Sequence, residues 1–269
     1  EHRVSNMLRD HGIERYEARN AISRVVGLAK GTLVESAEGI DALIDAFDVD
    51  VPPERDGENP MSRVRFCQLV QKVLDACRSF EEGVCDFDDM VWAPVVLGVR
   101  IPQFDRVFVD ETQDLNAAQL ELVVRACKDG GRICAVGDDR QAIYRFRGAD
   151  ENAVGRIIEK LSAKVLPLSV TYRCSRAIVK VANRVVPDLE AAPGASEGEV
   201  SEASLGQLKK GAEPGDFVLS RTNAPLVSLC LEWIALGKRA TIAGRDVGAG
   251  LLALIDKLDA PDVGTLRQR

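Results

Sequence analysis

The sequence predicts an α/β fold with a helical N-terminal portion, on three observations. Apolar residues recur at the helical period through much of residues 1–100. Between residues 106 and 137, a short apolar run, a helical pattern and a second short apolar run follow one another, which is typical of a β-α-β unit. The same alternation of strand-like and helix-like segments returns after residue 198.

The composition excludes several classes of protein. The chain has 269 residues, of which 46% are hydrophobic, so it can form a sizeable core. Its 35 Lys and Arg against 42 Asp and Glu give a net charge of −7, which argues against general coating of polyanions. No apolar run approaches the roughly 20 residues that cross a bilayer, and the first residues lack the apolar core of a signal peptide.

Cysteine and histidine usage narrows the chemistry. The seven cysteines form no CxxC pair, which indicates reduced thiols in a cytoplasmic protein rather than a disulfide framework or a zinc site. The only histidines are His2 and His11, so catalysis by histidine is not expected. Carboxylates and arginines therefore remain as the reactive groups.

The N-terminal helices are predicted from two apolar patterns, one within residues 21–28 and one within residues 66–77. Between them, residues 51–60 are rich in proline and charge and predict an exposed loop.

The β-α-β unit comprises a strand at 106–109, a helix at 116–127 and a strand at 132–137. Its parallel sheet is expected to be buried on both faces. Later strands are predicted at 165–168, 217–220 and 239–242. Later helices are predicted at 175–186, 225–236 and 251–258, and residues 187–198 predict a surface connection.

Asp110 and Glu111 directly follow the first strand of this unit. Ligands of open parallel sheets bind beyond the carboxyl ends of the strands. Two acids there can hold Mg²⁺ over phosphates and orient an attacking water. Taken alone, the pair favours a solvated strand end followed by helix-capping acids.

The loop after the second strand, residues 137–149, carries acids, an amide, arginines and aromatic residues. Aromatic rings interleaved with arginines can stack on bases and bind phosphates of a single strand. A further arginine, Arg173, precedes a predicted helix, where it could stabilise charge on a transferring phosphoryl group. Residues 137–180 contain nine Lys/Arg and five Asp/Glu, a local net charge of +4. Such a basic zone suits a nucleic-acid backbone, although a charge run is more often only a solvated face.

These segments together resemble the UvrD/Rep/PcrA family of superfamily 1 DNA helicases. Residues 110–114 (DETQD) resemble motif II, residues 136–150 (VGDDRQAIYRFRGAD) motif III and residues 171–175 (TYRCS) motif IV. Residues 86–90 (DFDDM) are similar to the segment that returns from a helical insertion. Residues 217–224 (FVLSRTNA) resemble a strand of the second RecA-like domain.

The resemblance implies a nucleotide site with ATP and Mg²⁺. Asp110 would hold Mg²⁺ and Glu111 would be the general base for the hydrolytic water. Gln141 would sense the γ-phosphate and Arg173 would be the arginine finger. Tyr172 would stack on the adenine.

The resemblance also implies coupling and DNA-binding residues. Gln113, a further nucleotide-site residue, and Asp114 would link motif II to motif III. Phe146 would stack on a base of single-stranded DNA, with Tyr144 and Arg147 beside it. The family usually has tryptophan at the position of Phe146, and phenylalanine keeps a smaller stacking face.

The implied fold is a pair of RecA-like parallel sheets of the P-loop NTPase type, with a helical insertion subdomain. Residues 1–100 would form the insertion, 101–165 the back part of the first RecA-like domain, and 166–269 the front part of the second. No G-x-x-x-x-G-K-[ST] phosphate loop occurs, and motifs V and VI do not appear. We therefore expect these residues to be an internal part of a longer protein, inactive alone.

The implied function is an ATP-dependent helicase or translocase that moves 3′ to 5′ on single-stranded DNA and acts at duplex junctions, with no membrane partner. The alternative is a non-hydrolysing module that binds single-stranded nucleic acid without a phosphate loop. A helicase fused to a nuclease is a third possibility.

Overall fold

A computed structural model describes residues 2–10, 12–13, 15–53, 59–80, 84–141 and 153–242. The chain divides into two compact units, Glu1–Leu166 and Pro167–Arg269. The assignment of residues to helicase domains stays a prediction. None of the helices formed by the described residues is both long and apolar enough to span a bilayer.

The first unit opens with helices, as the apolar spacing predicts. Among the described residues, the helices that precede its first strand are α1 (His2–Asp10), α2 (Tyr16–Thr32), α3 (Ala37–Ala46), α4 (Arg63–Cys77) and α5 (Phe87–Val96). Serine side chains cap two of them: Ser36 accepts a hydrogen bond from the backbone N–H of Gly39, and Ser62 from that of Arg65.

The core of the first unit lies between α2 and α4 and their neighbours. On each of these two helices the fully buried residues follow the i, i+3, i+4 pattern, so that one face of the helix is apolar. They include Ile22, Val25 and Val26 on α2, and Phe66, Leu69, Val70 and Val73 on α4.

A buried ion pair crosses this helical core. The Lys30 Nζ lies 2.7 Å from Asp89 Oδ1 and 3.3 Å from Asp86 Oδ2. The Lys30 side chain is 1% exposed and that of Asp89 is fully buried. Burial lowers the pKa of Lys30. Cys77 and the two aspartates raise the pKa by more than burial lowers it, so the pKa lies above its ordinary value.

The end of α2 lies against the starts of two other helices. Asp86 and Asp89, which face Lys30, also cap α5 reciprocally through their side chains and backbone N–H groups. A Cβ at Gly31 would lie 3.1 Å from the side-chain nitrogen of Asn116, the residue that caps the next helix. Because Asn116 follows the acidic residues 110–114 closely, these contacts help to fix where those residues lie.

The β-α-β unit is confirmed. It consists of β1 (Phe104–Val109), α6 (Ala117–Arg125) and β2 (Cys127–Ala135), and the two strands are parallel. Strand β2 begins earlier than predicted. Phe104 pairs with Cys127 and Arg106 pairs with Arg132. Pairs that are two residues apart on β1 are thus five residues apart on β2, and residues 128–131 form an irregularity in the strand pairing.

The expectation that this sheet is buried on both faces is wrong for the described residues. Phe104 is 55% exposed and Phe108 is 75% exposed. The sheet has two strands in the described part of the chain. Helix α6 leaves the aromatic face uncovered, whereas a parallel sheet normally has helices on both faces.

The second unit contains a small parallel sheet and short helices. Its strands are β3 (Val170–Thr171) and β4 (Glu190–Ala191). Its helices are α8 (Arg176–Ala182), α9 (Leu205–Gly211) and α10 (Asn223–Ala235), while α7 (Ala153–Leu161) belongs to the first unit. The predicted helices at 175–186 and 225–236 correspond to α8, which is shorter, and to α10. The predicted helix at 251–258 lies outside the described residues.

Three predicted strands are wrong: residues 165–168, 217–220 and 239–242 are irregular. A strand needs a hydrogen-bonded neighbour, and the described residues supply none to these segments. Their apolar side chains are instead exposed, as Leu168 at 84% and Phe217 at 93% illustrate.

Candidate functional site

The site is built where β1 and β2 end side by side. We call residues 110–114 the acidic turn and residues 136–141 the Asp138 loop. The backbone N–H of Val136 donates to the Val109 carbonyl at 2.8 Å, and the N–H of Thr112 donates to the Val136 carbonyl at 2.9 Å. The parallel ladder thus continues past the strands and joins the acidic turn to the Asp138 loop.

The two acids predicted for chemistry both lie at this edge and are exposed. The side chain of Asp110 accepts a hydrogen bond from the Glu111 N–H at 3.0 Å. Glu111 has φ 48° and ψ 47°, the left-handed conformation. That conformation costs a residue with a Cβ about 1–2 kcal/mol, so surrounding contacts must hold it.

Gln113 bridges the acidic turn and the Asp138 loop. Its side-chain NH₂ donates to Glu111 Oε2 at 2.8 Å, and its side-chain oxygen accepts the Asp138 N–H at 3.0 Å. Gln113 is only 3% exposed. A buried amide with both ends bonded has one favourable orientation, so it ties the Glu111 carboxylate to the start of the Asp138 loop.

Gln141 is held by Asp138 at the far end of the loop. The Gln141 side-chain NH₂ donates to Asp138 Oδ2 at 2.8 Å, and its backbone N–H donates to the Asp138 carbonyl at 2.9 Å. The N–H of Arg140 donates to the other carboxylate oxygen of Asp138 at 3.1 Å. Gln141 remains exposed, so its amide is accessible to a ligand.

Asp114 closes the acidic turn. Its N–H donates to the Glu111 carbonyl at 2.9 Å, which forms the short 3₁₀ helix Thr112–Asp114. Its Oδ1 is buried and has no hydrogen-bond partner among the described residues. Helix α7 packs against this short helix, so the acidic turn is supported from behind.

Gly137 occupies a position where a side chain does not fit. A Cβ there would lie 2.7 Å from the Gln113 side-chain oxygen and 3.0 Å from the Thr112 nitrogen. We expect Gly137→Ala to cost about 1–3 kcal/mol of local stability, because the crowded atoms must move apart. Hydrogen exchange at the Thr112 and Asp138 amides measures this loss.

The matched control is Gly211→Ala, since a Cβ at Gly211 meets no atom within 4 Å. Exchange at the same two amides should be unchanged in that control. Equal exchange in the wild type and the Gly137→Ala variant would contradict the close packing at Gly137.

Tyr172 and Arg173 belong to the second unit, between β3 and α8. Tyr172 is 86% exposed, and Arg173 is also exposed. The Arg173 N–H donates to the Thr171 hydroxyl at 3.3 Å. Both side chains are therefore available for a ligand.

The three residues predicted for DNA binding, Tyr144, Phe146 and Arg147, lie outside the described residues. Their roles stay predictions.

The donor set at the strand ends suits a hard cation. Carboxylate and amide oxygens are the ligands of Mg²⁺, which commonly keeps waters and binds through one or two carboxylates plus phosphates. The described residues contain no cluster of three or more metal-ligating side chains. All seven cysteines are free thiols.

Sequence reasoning missed two parts of the site. Thr112 and Gly137 carry no chemistry of their own, yet they set how closely the acidic turn approaches the Asp138 loop. A glycine at a strand end is a signal of close backbone approach. For Thr112 the sequence offers no comparable signal.

Comparisons with known proteins agree with the motif resemblance. Residues 40–161 match the model of the UvrD/REP helicase N-terminal domain. Over 110 residues the chain is 36% identical to the ATP-dependent DNA helicase PcrA of Bacillus subtilis. This alignment covers 38% of this chain and 15% of that protein. The PcrA proteins of Staphylococcus epidermidis and Staphylococcus aureus are 36% and 34% identical over the same length and shares. The aligned part thus spans about 15% of the length of these relatives.

Proposed function

We propose that this chain, a UvrD/PcrA-like helicase sequence, supplies the hydrolytic edge of an ATP-dependent DNA translocase. The observation that carries the proposal is the hydrogen-bonded junction of the acidic turn with the Asp138 loop. Asp110 and Glu111 directly follow β1, and Gln141 lies on the loop that follows the adjacent parallel strand β2. That edge is where open α/β sheets bind their ligands.

In this proposal, several residues of the first unit have separate roles in hydrolysis. Bound Mg²⁺ would neutralise charge on the phosphates of ATP. Asp110 holds the cation through its exposed carboxylate. Glu111 accepts the proton of the attacking water, and Gln113 orients the Glu111 carboxylate. Gln141 donates to the γ-phosphate from the end of the Asp138 loop.

We also propose roles toward the nucleotide for two residues of the second unit. Arg173 stabilises charge that develops on the transferring phosphoryl group, and Tyr172 stacks on the adenine. Both side chains are exposed, which supports these roles.

Movement on DNA follows from coupling these events to the aromatic segment after the Asp138 loop. Gln113 connects the acidic turn to this loop, and we propose that Asp114 contributes to the same link. In the sequence the loop is followed by Tyr144, Phe146 and Arg147. We propose that Phe146 stacks on a base of single-stranded DNA and that hydrolysis changes this grip. The family resemblance favours movement from 3′ to 5′, with duplex junctions as substrates.

The test is ATP hydrolysis by the full-length protein in Mg²⁺, with and without oligothymidine. We expect turnover that the oligonucleotide stimulates. Displacement of streptavidin from the 5′ biotinylated end, and not from the 3′ end, would fit movement toward the 5′ end. Binding of the oligonucleotide without ATP hydrolysis would contradict the proposal and favour a non-hydrolysing module.

A further inference from the structure

Thr112 is buried in the acidic turn, directly after Glu111. Its backbone N–H donates to the carbonyl oxygen of Val136 at 2.9 Å, and its hydroxyl donates to the same oxygen at 2.6 Å. Only 3% of the residue is exposed. Two donors of one residue thus fasten the acidic turn to the end of β2.

The backbone of Gly137 lies close to Thr112. A Cβ at Gly137 would lie 3.0 Å from both the nitrogen and the Cβ of Thr112. Thr112 therefore has little space in which to rotate.

The residue before Thr112 needs such a restraint. Glu111 is held at φ 48°, which a residue with a Cβ adopts only at a cost in free energy. Its carboxylate accepts a hydrogen bond from Gln113, the residue after Thr112. Thr112 is therefore flanked by the strained residue and by the amide that orients its carboxylate.

We infer that Thr112 is a positioning residue: its hydroxyl fixes the left-handed conformation of Glu111 and so aims the carboxylate at the hydrolytic water. This inference rests on the proposed function of Glu111 as general base. Loss of the hydroxyl removes one of the two bonds to Val136. Glu111 then relaxes toward more populated backbone conformations, and its carboxylate spends less time in the productive orientation.

The test compares Thr112→Val with Thr112→Ser in the full-length protein. Valine keeps the shape but not the hydroxyl, and the Thr112 N–H still satisfies the Val136 carbonyl, so folding should persist. We expect kcat for ATP to fall about tenfold, with KM and nucleotide Kd unchanged within about twofold. Serine keeps the donor and should restore kcat to within about twofold of the wild type.

The matched control is Thr32→Val. The Thr32 hydroxyl donates to the Leu28 carbonyl at 2.7 Å, a similar bond within α2. This control should leave kcat unchanged. A second readout needs no nucleotide: hydrogen exchange at the Thr112 and Gln113 amides should be faster in Thr112→Val and unchanged in Thr32→Val.

The outcomes distinguish a failure of the proposed function from a failure of the inference about Thr112. A wild-type protein without ATP hydrolysis overturns the proposed function, and this inference with it. A wild-type protein that hydrolyses ATP, beside a Thr112→Val variant with equal kcat, overturns the inference alone. Equal losses in Thr112→Val and Thr32→Val would mean a general loss of stability and would also overturn it.

Discussion

Replacing Glu111 by glutamine should lower ATP turnover of the full-length protein by about 10²–10⁴-fold while leaving nucleotide binding intact. A carboxamide has no basic oxygen that accepts the proton of the attacking water. The fold should be undisturbed, because the Gln113 side-chain NH₂ can donate to the amide oxygen as it does to the carboxylate. Steady-state hydrolysis gives the turnover, and titration with a fluorescent ATP analogue gives the binding.

The control for this variant is Glu35→Gln. Glu35 is a partly exposed acid whose carboxylate pairs with Arg78, away from the acidic turn. Its replacement should leave turnover unchanged. If Glu111→Gln hydrolyses ATP as fast as Glu35→Gln, Glu111 is not the general base.

Replacing Lys30 by methionine should lower the free energy of unfolding of the first unit by about 3–5 kcal/mol. The substitution leaves Asp89, which is fully buried, and Asp86 without their cation. A buried carboxylate that loses its cation is costly, because the carboxylate has already lost its hydration. Hydrogen exchange of the α2 and α5 amides during urea unfolding reports on this unit.

Lys128→Met is the matched control for that change. Lys128 pairs with Asp105 at 2.9 Å, but the two side chains are 48% and 83% exposed. Water screens such a pair, so the loss should be below about 1 kcal/mol. Similar losses in the two variants would contradict the account of the buried pair.

The parts of the fold that the sequence predicts are those with local signals. The helices α2 and α4 follow from apolar spacing within one helix, and the β1-α6-β2 unit follows from the change of period between its segments. Asp110 and Glu111 were placed at a strand end because they come directly after an apolar run.

The parts that the sequence does not predict depend on contacts between distant residues. Lys30 has its acid partners 56 and 59 positions away, so its spacing alone suggests a solvated residue. The Thr112 hydroxyl finds its acceptor 24 positions away. The apolar runs at 165–168 and 217–220 have the composition of strands but lack a partner strand among the described residues.

The same distinction applies to the candidate site. The family resemblance points to Gln141, and the sequence itself points to the acids, since their type and their place after a strand suit the chemistry. It could not give the left-handed conformation of Glu111 or the bridge through Gln113, because these depend on how closely Gly137 approaches. The resemblance to the helicase family named Gln113 as a link without naming its two hydrogen bonds.

The most direct test of the site is the position of the metal in a crystal of the full-length protein with Mn²⁺ and a non-hydrolysable ATP analogue. The anomalous signal of Mn²⁺ locates the ion independently of the protein density. We expect the ion at about 2.0–2.1 Å from an Asp110 carboxylate oxygen, the coordination distance typical of an Mg²⁺ site, with Gln141 within hydrogen-bonding distance of the γ-phosphate. An ion bound elsewhere, with Asp110 and Gln141 both remote from the phosphates, would contradict the assignment of this strand edge as the hydrolytic site.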